Sequence, residues 1–406
     1  MSIEADCRRG RAPLDSHAEA VAAAEAFAAA VRPGAADRDR ACAVPRAELA
    51  SFDRSGLPTI TVPVADGGAG LGPRTVAEIV RIIATADPAL AQIPQGHLLA
   101  VDILALVGTS YQRERILPAV VEGGRIAPVL AERGGHHAQD LKTRLVRDGS
   151  GCRLDGVKYY CTGAITSRWL AASALDPDGR LVLAFVERDA PGVAVDEDWA
   201  AMGQRATVSG TTTFDGVRVD PAMVVPYWSV FTGPQLLGAR AQLVHASIEV
   251  GIAEGALADA VEFVRTRSRP FFEAVRAGLV STAGDDPHTL LRFGQLATRT
   301  RAAVQMLRWA ADLLEDLGLR PADADAAARG SIAVAEAKAF GSDVAVEVAS
   351  QIFALTGTSG TDQRFDLDRH WRNARTHSVH DPVDWKYHHI GAWELAGVPP
   401  PNHAQI

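Results

Sequence analysis

Two histidines near the end of the chain, His377 and His380, have the residue type and spacing best suited to moving protons. They lie three positions apart, so on a helix or in a tight turn both side chains project from one face. A neutral imidazole donates a hydrogen bond to a developing anion and also carries a proton, because it titrates near neutral pH. A pair with this spacing can hold and transfer a proton at one site.

The histidine content of the C-terminal segment raises a second possibility, a metal site. Six of the 12 histidines lie from His370 onward. A protein metal site generally needs three ligands that converge with suitable geometry. His377, His380 and Asp381 are too close in sequence to converge easily, so we predict no metal site. His388 and His389 are expected to belong to a surface or a subunit contact.

The periodicity of the apolar residues divides the chain into three zones that must position these histidines. Up to about residue 124 the spacing is helical, as in 17–31, 76–84 and 94–107. The exception is an extended run at 57–63, which ends in a glycine-rich turn at 67–70. The first zone is therefore predicted to be a helical domain.

The second zone, from about residue 125 to 226, has a period of two, which is typical of strands. The dipeptides Asp155-Gly156 and Asp215-Gly216 interrupt short runs of branched residues, and such dipeptides indicate turns of antiparallel hairpins. From about residue 236 the helical period returns in 239–264, 290–317 and 326–355. Long amphipathic helices joined by short polar loops predict a bundle.

Composition limits the partners and the compartment of this 406-residue chain. The formal net charge is -8 without a basic stripe or arm, so nucleic acid is not expected as a partner. Four scattered cysteines, Cys7, Cys42, Cys152 and Cys161, are too few for a disulfide scaffold and fit a reducing cytoplasm. The first residues lack the apolar run of a secretory signal, and charged residues interrupt the Ala-rich stretch 17–31, so we expect a soluble, cytoplasmic protein with no membrane segment.

Specific motifs resemble the acyl-CoA dehydrogenase superfamily over nearly the whole chain, from about residue 18 onward. The order of helices, β-domain and helical bundle is that of the superfamily. The segment 56–70, the string KYYCTG at 158–163 and the string WAAMGQR at 199–205 are each similar to its signatures. The most specific match is DRHWRNARTHSVHDP at 368–382, which resembles the dibenzothiophene monooxygenase branch and, more closely, the SfnB-type sulfur-acquisition oxidoreductases.

The resemblance implies an α+β fold with three domains. An N-terminal helical domain would cover residues 1–124, a central antiparallel β-barrel or sandwich 125–235, and a C-terminal four-helix bundle 236–406. The superfamily commonly buries its bundle against a second subunit, so a homo-oligomer, usually a dimer of dimers, is expected as well.

The resemblance also implies flavin chemistry, and one missing residue decides between its two forms. The dehydrogenases abstract an α-proton with a glutamate, but the two family slots for this base fall at or next to Asp381 and near Ala241. An aspartate would place its carboxylate about one bond short, and proton abstraction requires hydrogen-bond reach. The leading expectation is a two-component monooxygenase in which an NAD(P)H-dependent reductase supplies reduced FMN. Reaction with dioxygen would give a flavin hydroperoxide that oxidises a small organosulfur compound.

The alternatives are a dehydrogenase that uses FAD and a thioester, with Asp381 as its base, and a flavin-poor binding protein on a decayed enzyme scaffold. His97 matches a histidine of the monooxygenase branch that approaches the substrate, although a lone histidine is more often structural. His377, His380 and His97 are therefore the expected catalytic residues.

The implied cofactor contacts come from the β-domain and from arginines of the bundle. Thr162 is expected to donate a hydrogen bond to the isoalloxazine edge. Tyr160 is expected to pack near the flavin, or alternatively in the protein core. Arg267 is expected to bind the cofactor phosphate of a neighbouring subunit, or alternatively to lie at a solvated helix end. The full expected set is Thr162, Tyr160, Cys161, Ser209, Arg267 and Arg375, where Ser209 would contact phosphate and Arg375 has a structural alternative.

One departure from the family pattern affects the flavin edge of the predicted site. Where relatives carry a hydroxyl before the glutamate, this chain has Ala131, and an amide-bearing position of the monooxygenase branch is Pro128. Main-chain N–H groups remain available as donors. This departure motivates the alternative of a decayed enzyme scaffold.

Overall fold

The computed structural model describes residues 14–137 and 140–404. Helices fill the first part of the chain. Ser16 caps the first helix by accepting a hydrogen bond from the Glu19 N–H, and Thr109 and Gln112 form a capping box at the start of the seventh. Between residues 14 and 124 the α-helices are α1 (His17–Val31), α2 (Ala35–Ala41), α3 (Arg46–Arg54), α4 (Pro73–Ala86), α5 (Pro88–Gln92), α6 (Gln95–Val107) and α7 (Ser110–Val121).

The segment 57–70 corrects one prediction from the sequence. Its residues form two short 3-10 helices, Leu57–Thr59 and Val64–Asp66, instead of an extended run. Ile60 and Val62 are fully buried, so the apolar pattern reflects burial of irregular backbone. A short apolar run does not by itself distinguish a strand from a buried turn.

The middle of the chain forms one mixed sheet of eight strands. The strand order is β6-β7-β3-β2-β4-β5-β8, and β1 pairs with β4 in parallel. The sheet is therefore not purely antiparallel, as the sequence had suggested. The strands are β1 (Ile126–Val129), β2 (Arg144–Asp148), β3 (Gly151–Lys158), β4 (Trp169–Leu175), β5 (Leu181–Glu187), β6 (Val193–Val195), β7 (Thr212–Val219) and β8 (Val224–Val225).

The two Asp-Gly dipeptides lie inside strands, so the predicted turns at these positions are wrong. The pairing of β3 with β7 shifts register between Leu154 and Gly156, which is a bulge. The Asp155 carboxylate accepts a hydrogen bond of 2.8 Å from the Gly216 N–H on the neighbouring strand. The two dipeptides thus meet across one strand pair, and they bend the sheet without ending its strands.

The C-terminal part is helical. Long helices pack side by side, and α8 also packs against α4 of the N-terminal part. A Cβ at Gly255 would lie 2.5 Å from the Thr85 carbonyl oxygen, so the close approach of α4 and α8 requires glycine there. The helices are α8 (Leu237–Thr266), α9 (Phe272–Arg276), α10 (Pro287–Leu317), α11 (Ala324–Thr356), α12 (Asp368–Ser378) and α13 (Val383–Ala396).

One stretch, Pro88–Val107, passes a test of length and composition for a membrane span, but 67% of its most apolar window is buried inside the protein. It comprises α5 and α6 and belongs to the core. The predicted boundaries after residues 124 and 235 fall between α7 and β1 and just before α8. The division into domains at these two points stays a prediction.

A buried ion cluster joins α12 to the rest of the molecule. The Arg372 guanidinium lies 2.7 Å from a carboxylate oxygen of Asp39 on α2 and 2.9 Å from one of Asp366. These acidic partners belong to the same chain. Burial, followed by repulsion from Asp39, raises the pKa of Asp366 to about 6. One oxygen of this carboxyl, Oδ2, is buried without a hydrogen bond.

This cluster makes stability depend on pH. Because the folded state binds the Asp366 proton more tightly than the unfolded chain, the favourable contribution is complete below the unfolded pKa of 3.8 and is lost as the pH rises through about 6. Asp366→Asn removes the ionisation and suits the left-handed backbone at this position, where φ is 52°. We expect a higher melting temperature than wild type at pH 8 and a difference that shrinks below pH 6. Asp368→Asn, at a more exposed partner of Arg372, is the control and should give no gain. A less stable Asp366→Asn protein at pH 8 would contradict this account.

Candidate active site

The C-terminal histidine pair does not act as two equivalent side chains. His377 lies on the last turn of α12 and is buried, and both of its ring nitrogens are used within the protein. Its Nδ1 lies 2.9 Å from Glu249 Oε1, and its Nε2 lies 3.1 Å from His245 Nδ1. His380 follows the end of the helix and is exposed. Of the two, His380 is the side chain that a ligand can reach.

His245 on α8 links the two predicted histidines. Its ring centroid lies 5.0 Å from that of His377 and 4.0 Å from that of His380. The remaining nitrogen, Nε2, lies 2.9 Å from the amide nitrogen of Gln95 at the start of α6. Burial, followed by repulsion from His380, lowers the pKa of His245 well below its ordinary value. This imidazole is therefore neutral at physiological pH.

A buried carboxylate, Glu249, anchors the histidines from the other side. It lies one helical turn after His245 and accepts hydrogen bonds from the Lys338 ammonium at 2.9 Å and the Ser342 hydroxyl at 2.5 Å. Burial opposes ionisation, but the charge of Lys338 and the hydrogen bond from His377 outweigh it and lower the pKa of Glu249. Glu249 and Lys338 have no exposed side-chain surface. They form an ion pair in the interior of the bundle.

Asp381, one of the two sequence slots for a dehydrogenase base, is held by cations. It lies 2.9 Å from Lys386 on α13 and 3.8 Å from Lys338 on α11. Burial raises its pKa, but hydrogen bonding to His380 and these two ammonium groups lower it well below the ordinary range. A carboxylate stabilised in this way is a poor proton acceptor. Its Oδ1 lies 3.4 Å from His380 Nδ1 and can orient that ring.

His97 occupies a structural position. Its Nδ1 accepts a hydrogen bond from the Ile126 N–H at 3.2 Å, and its Nε2 donates to the Pro58 carbonyl oxygen at 2.8 Å. Burial lowers the pKa of His97 to about 4. With both nitrogens paired inside the protein, the side chain joins β1 to the segment before α4. This geometry does not support the predicted approach of His97 to the substrate.

The β-domain side of the site carries a ladder of hydroxyl groups. Thr162 Oγ1 lies 2.7 Å from Ser209 Oγ, which lies 2.8 Å from Thr207 Oγ1. Ser209 and Thr207 are buried, whereas Thr162 is partly exposed. The predicted donor Thr162 is thus available to a ligand. The buried Ser209 hydroxyl is hydrogen-bonded to both Thr162 and Thr207, and this position does not favour the predicted contact of Ser209 with a phosphate.

Tyr160 and Cys161 point in different directions although they are neighbours. Tyr160 has a left-handed backbone with φ of 59° and an exposed ring, which packs edge-on against Trp199 with centroids 6.1 Å apart. The alternative of a core aromatic does not apply to it. Cys161 is buried in the apolar core of the sheet, and burial raises its pKa to about 11. The Cys161 N–H donates to the Gly210 carbonyl oxygen, so neither group is free for the predicted cofactor contact.

Contacts around the start of α6 bring the hydroxyl side and the histidine side together. A Cβ at Gly163, next to Thr162, would lie 3.0 Å from the Ile93 side chain. A Cβ at Gly96 would lie 2.8 Å from the Pro128 ring. Gln95 lies between Ile93 and Gly96, and it contacts His245. Gly163, Pro128 and His245 therefore all lie against the segment at the start of α6.

The segment around Ala131, which lacks the family hydroxyl, is held by hydrogen bonds and an ion pair. The Ala131 carbonyl oxygen accepts a 2.9 Å hydrogen bond from the Tyr159 N–H, which forms an isolated bridge. Glu132 accepts from the Lys158 ammonium at 2.6 Å and from the Thr143 hydroxyl at 2.6 Å. Burial of Glu132 is outweighed by these bonds, which lower its pKa to about 2. The family glutamate is retained as a structural anchor of the strands.

The two predicted arginines lie at the periphery. The Arg267 guanidinium carbon lies 4.9 Å from the centre of the Phe365 ring, which is a cation–π contact. Arg375 is exposed on α12. In residues 14–137 and 140–404, neither arginine forms an ion pair with a carboxylate. Within the same part of the chain, no group of three or more His, Cys, Asp or Glu side chains is arranged to hold a metal ion.

Four residues of this region were missed at the sequence level: Gln95, His245, Glu249 and Lys338. A usable signal was present for two of them. His245 and Glu249 are spaced i, i+4 in the largely apolar run 243–253 of a helix, which places two polar groups on one buried face. Buried polar groups need partners, so such a pair predicts an internal network. The two family slots for a glutamate, near Ala241 and at Asp381, do not include position 249.

The order of helices, mixed sheet and long helices, with the hydroxyl ladder and the histidines near the start of α6, indicates a class of oxidoreductase domain, and comparison with known proteins identifies the family. The sequence matches the acyl-CoA dehydrogenase N-terminal domain over residues 15–124, the middle domain over 130–217 and the C-terminal domain over 243–385. The chain belongs to the acyl-CoA dehydrogenase family.

Similar proteins within this family are flavin-dependent monooxygenases. A dibenzothiophene monooxygenase of Rhodococcus erythropolis is 33% identical over 397 residues, which cover 93% of each chain. A probable FMNH2-dependent monooxygenase, SfnC, of Pseudomonas putida is 31% identical over 93% of this chain and 94% of its own. The FMN-bound structure of TdsC from Paenibacillus sp. A11-2 is 30% identical, with a TM-score of 0.90, and the match covers 95% of this chain and 100% of TdsC. The same enzyme has also been crystallised with FMN and indole.

The buried ion pair predicts a large loss of stability when one partner is removed. Lys338→Met leaves Glu249 without its cation, and breaking a buried pair typically costs about 3–5 kcal/mol. We expect a correspondingly lower denaturant midpoint for unfolding. Lys142→Met, at an exposed lysine, is the matched control and should change the free energy of unfolding by less than about 0.5 kcal/mol. Equal midpoints for the two variants would show that the pair is not essential.

Proposed function

We propose that the chain is the oxygenase component of a two-component monooxygenase. It would take reduced FMN from a separate NAD(P)H-dependent reductase and use dioxygen to oxidise a small organosulfur compound. The observation that carries the proposal is the exposed imidazole of His380. Its ring centroid lies 4.0 Å from that of the buried, neutral His245. The pair occupies the region where a dehydrogenase of this family would need a free carboxylate. The similar enzymes of Rhodococcus and Pseudomonas support the reaction type, and FMN in TdsC supports the cofactor.

The residues of the site fit FMN. Reduced FMN supplies two electrons to dioxygen, so that one oxygen atom enters the substrate and the other leaves as water. Thr162 offers a partly exposed hydroxyl to the edge of a flavin ring, supported by Ser209 and Thr207. The exposed ring of Tyr160 offers an apolar surface beside it.

His380 is the group that we assign to proton transfer. Because Asp381 is ionised, it is the acceptor of the hydrogen bond from His380 Nδ1–H. His380 Nε2 is then the nitrogen left for the substrate side, as a base in the neutral ring and as a donor after protonation. His377 and His245 hold this ring in position from the interior. The dehydrogenase alternative lacks such support, because Asp381 is held between two lysines.

We also infer a homo-oligomer, a dimer of dimers, in the cytoplasm, where an NAD(P)H-dependent reductase finds its coenzyme. Large exposed apolar side chains at 271–291 support a subunit contact, because monomeric proteins rarely expose many such groups close together. They are Phe271, Phe272, Val275, Leu279, Leu290 and Leu291. Arg267 lies just before this segment, in keeping with a cofactor phosphate bound near a subunit boundary.

The role of His380 is tested with a purified flavin reductase, NADH, FMN, oxygen and aryl or alkyl sulfides. The wild-type protein should form sulfoxide or sulfone. His380→Asn keeps a polar side chain but loses proton transfer, so the rate of product formation should fall by about 10²–10⁴ while FMN binding persists. His388→Asn, on the exposed face of α13, should behave as wild type. Full activity of His380→Asn would refute the assignment. Bleaching of bound FAD by an acyl-CoA thioester would favour the dehydrogenase.

The phosphate role of Arg267 is tested by comparing FMN with riboflavin, which lacks the phosphate. We expect wild type to prefer FMN, and Arg267→Leu to lose about tenfold or more of its affinity for FMN with riboflavin affinity unchanged, because a charge-assisted hydrogen bond contributes about 1.5–3 kcal/mol. Arg265→Leu, two residues earlier on α8, is the control. Equal FMN affinity in wild type and Arg267→Leu would assign Arg267 to the solvated end of its helix.

A further inference from the structure

We infer that Gln95 is a specificity-determining residue, which presents a hydrogen-bond acceptor to the ligand cleft and favours ligands that carry an N–H or O–H donor. The inference rests on the proposed function, and it adds the chemical class of substrate that the same site prefers. Its basis is a chain of four hydrogen-bonding side chains, Glu249, His377, His245 and Gln95, whose direction is fixed at one end.

The fixed end is the carboxylate. Ionised Glu249 has no proton to donate, so the 2.9 Å contact requires the His377 Nδ1–H to be the donor. The neutral ring then has a lone pair on Nε2, which accepts from the His245 Nδ1–H across 3.1 Å. His245 Nε2 is consequently an acceptor as well. Its 2.9 Å contact with Gln95 is made by an amide N–H donor.

The donor-to-acceptor direction of this chain is kept as long as His377 and His245 are both neutral. One extra proton on His377 would turn its Nε2 into a donor and reverse every bond up to Gln95. Complete burial opposes such a charge and outweighs the attraction of Glu249 for a proton on His377. The positive charge of Lys338 also opposes protonation, so the pKa of each ring lies below its ordinary value. The side-chain amide of Gln95 is therefore held in a single orientation.

The other end of the chain, Gln95, lines a cavity together with Leu98, Ala241 and Leu243. With the amide nitrogen used by His245, the carbonyl oxygen Oε1 of Gln95 remains, and no described residue of the chain donates to it. The side chain is only partly buried. Its neighbours Ile93 and Gly96 pack against Gly163 and Pro128, on the flavin side of the region. The oxygen is thus available to a bound molecule.

An acceptor at this position distinguishes ligands of equal shape. A ligand with an N–H group can pair with the oxygen, whereas an isostere without a donor covers it and leaves it unpaired. Loss of one such bond in a site shielded from water corresponds to about tenfold in affinity, or about 1.4 kcal/mol. A bicyclic compound without a hydrogen-bond donor should therefore still bind, but with lower affinity.

The test uses indole and benzothiophene, two bicycles of similar shape of which only indole carries an N–H donor. Dissociation constants are measured by calorimetry on the full-length protein saturated with FMN. Wild type should bind indole about tenfold more tightly than benzothiophene. Gln95→Leu removes the acceptor and should bring the ratio close to one. Gln305→Leu, at an exposed glutamine on α10, should keep the wild-type ratio.

A second variant tests the direction of the chain. In Glu249→Gln the amide can donate to His377, which allows all the bonds to reverse, so the preference for indole should shrink although Gln95 is unchanged. Circular dichroism and a thermal melt establish that this variant is folded, and if it is not, the Gln95→Leu ratio decides alone.

Equal affinity of wild type for the two probes, or an unchanged ratio in Gln95→Leu, would overturn the inference even if the protein oxidises sulfides. Failure to oxidise any sulfide would instead refute the proposed function, because the binding ratio is measured without turnover.

Discussion

A carboxylate without access to water, Glu249, imposes the constraint from which the histidine side of the site follows. Its charge is tolerable in the bundle only because Lys338, Ser342 and His377 all donate to it. These donors come from α11 and α12, while the carboxylate itself lies on α8. The contacts of Glu249 therefore join α8, α11 and α12 and fix the tautomer of His377. A hydrophobic replacement would pack as well, but it would leave the imidazoles without a defined direction.

The positions of the hydroxyl groups on the flavin side depend on the loop that precedes β7. The Gln204 carbonyl oxygen accepts hydrogen bonds from the Trp199 indole N–H at 2.9 Å and from the Thr207 hydroxyl at 2.8 Å. The Gln204 N–H donates to Asn373 on α12 at 2.6 Å. A Cβ at Gly203 would lie 2.0 Å from the Arg372 carbonyl oxygen, so this approach requires glycine. One loop thus sets the position of the hydroxyl ladder and of the helix that carries His377.

Much of the fold could be predicted from the sequence, because its signals were long and periodic. The helices at 17–31 and 76–84 and the three long C-terminal helices occur where the spacing indicated. The failures were local. Asp155-Gly156 has the composition of a turn, but such a dipeptide can also form a bulge within a strand. The pairing of β3 with β7 determines that it forms a bulge here. The run at 57–63 was too short for its period to be informative.

The site was less predictable, because the roles of its residues depend on partners distant in sequence. His377 and His380 carry the same side chain three positions apart, yet one is buried against Glu249 and the other is exposed. The sequence contains no information on this difference without the position of α8. His97 illustrates the same limit, since its two hydrogen-bond partners, Pro58 and Ile126, are 39 and 29 residues away. Thr162 shows this limit as well, because its hydrogen-bond partner Ser209 is 47 residues away. Its predicted role came from the resemblance of the string KYYCTG at 158–163 to a family signature.

The most direct test of the account follows the oxygen atom itself. The protein is supplied with reduced FMN and an organic sulfide under ¹⁸O₂ in unlabelled water, and the product is analysed by mass spectrometry. The account predicts that each oxygen added to sulfur carries the ¹⁸O label. A product whose oxygen derives from water, or an unchanged sulfide while FMN is bound and oxidised, would contradict it.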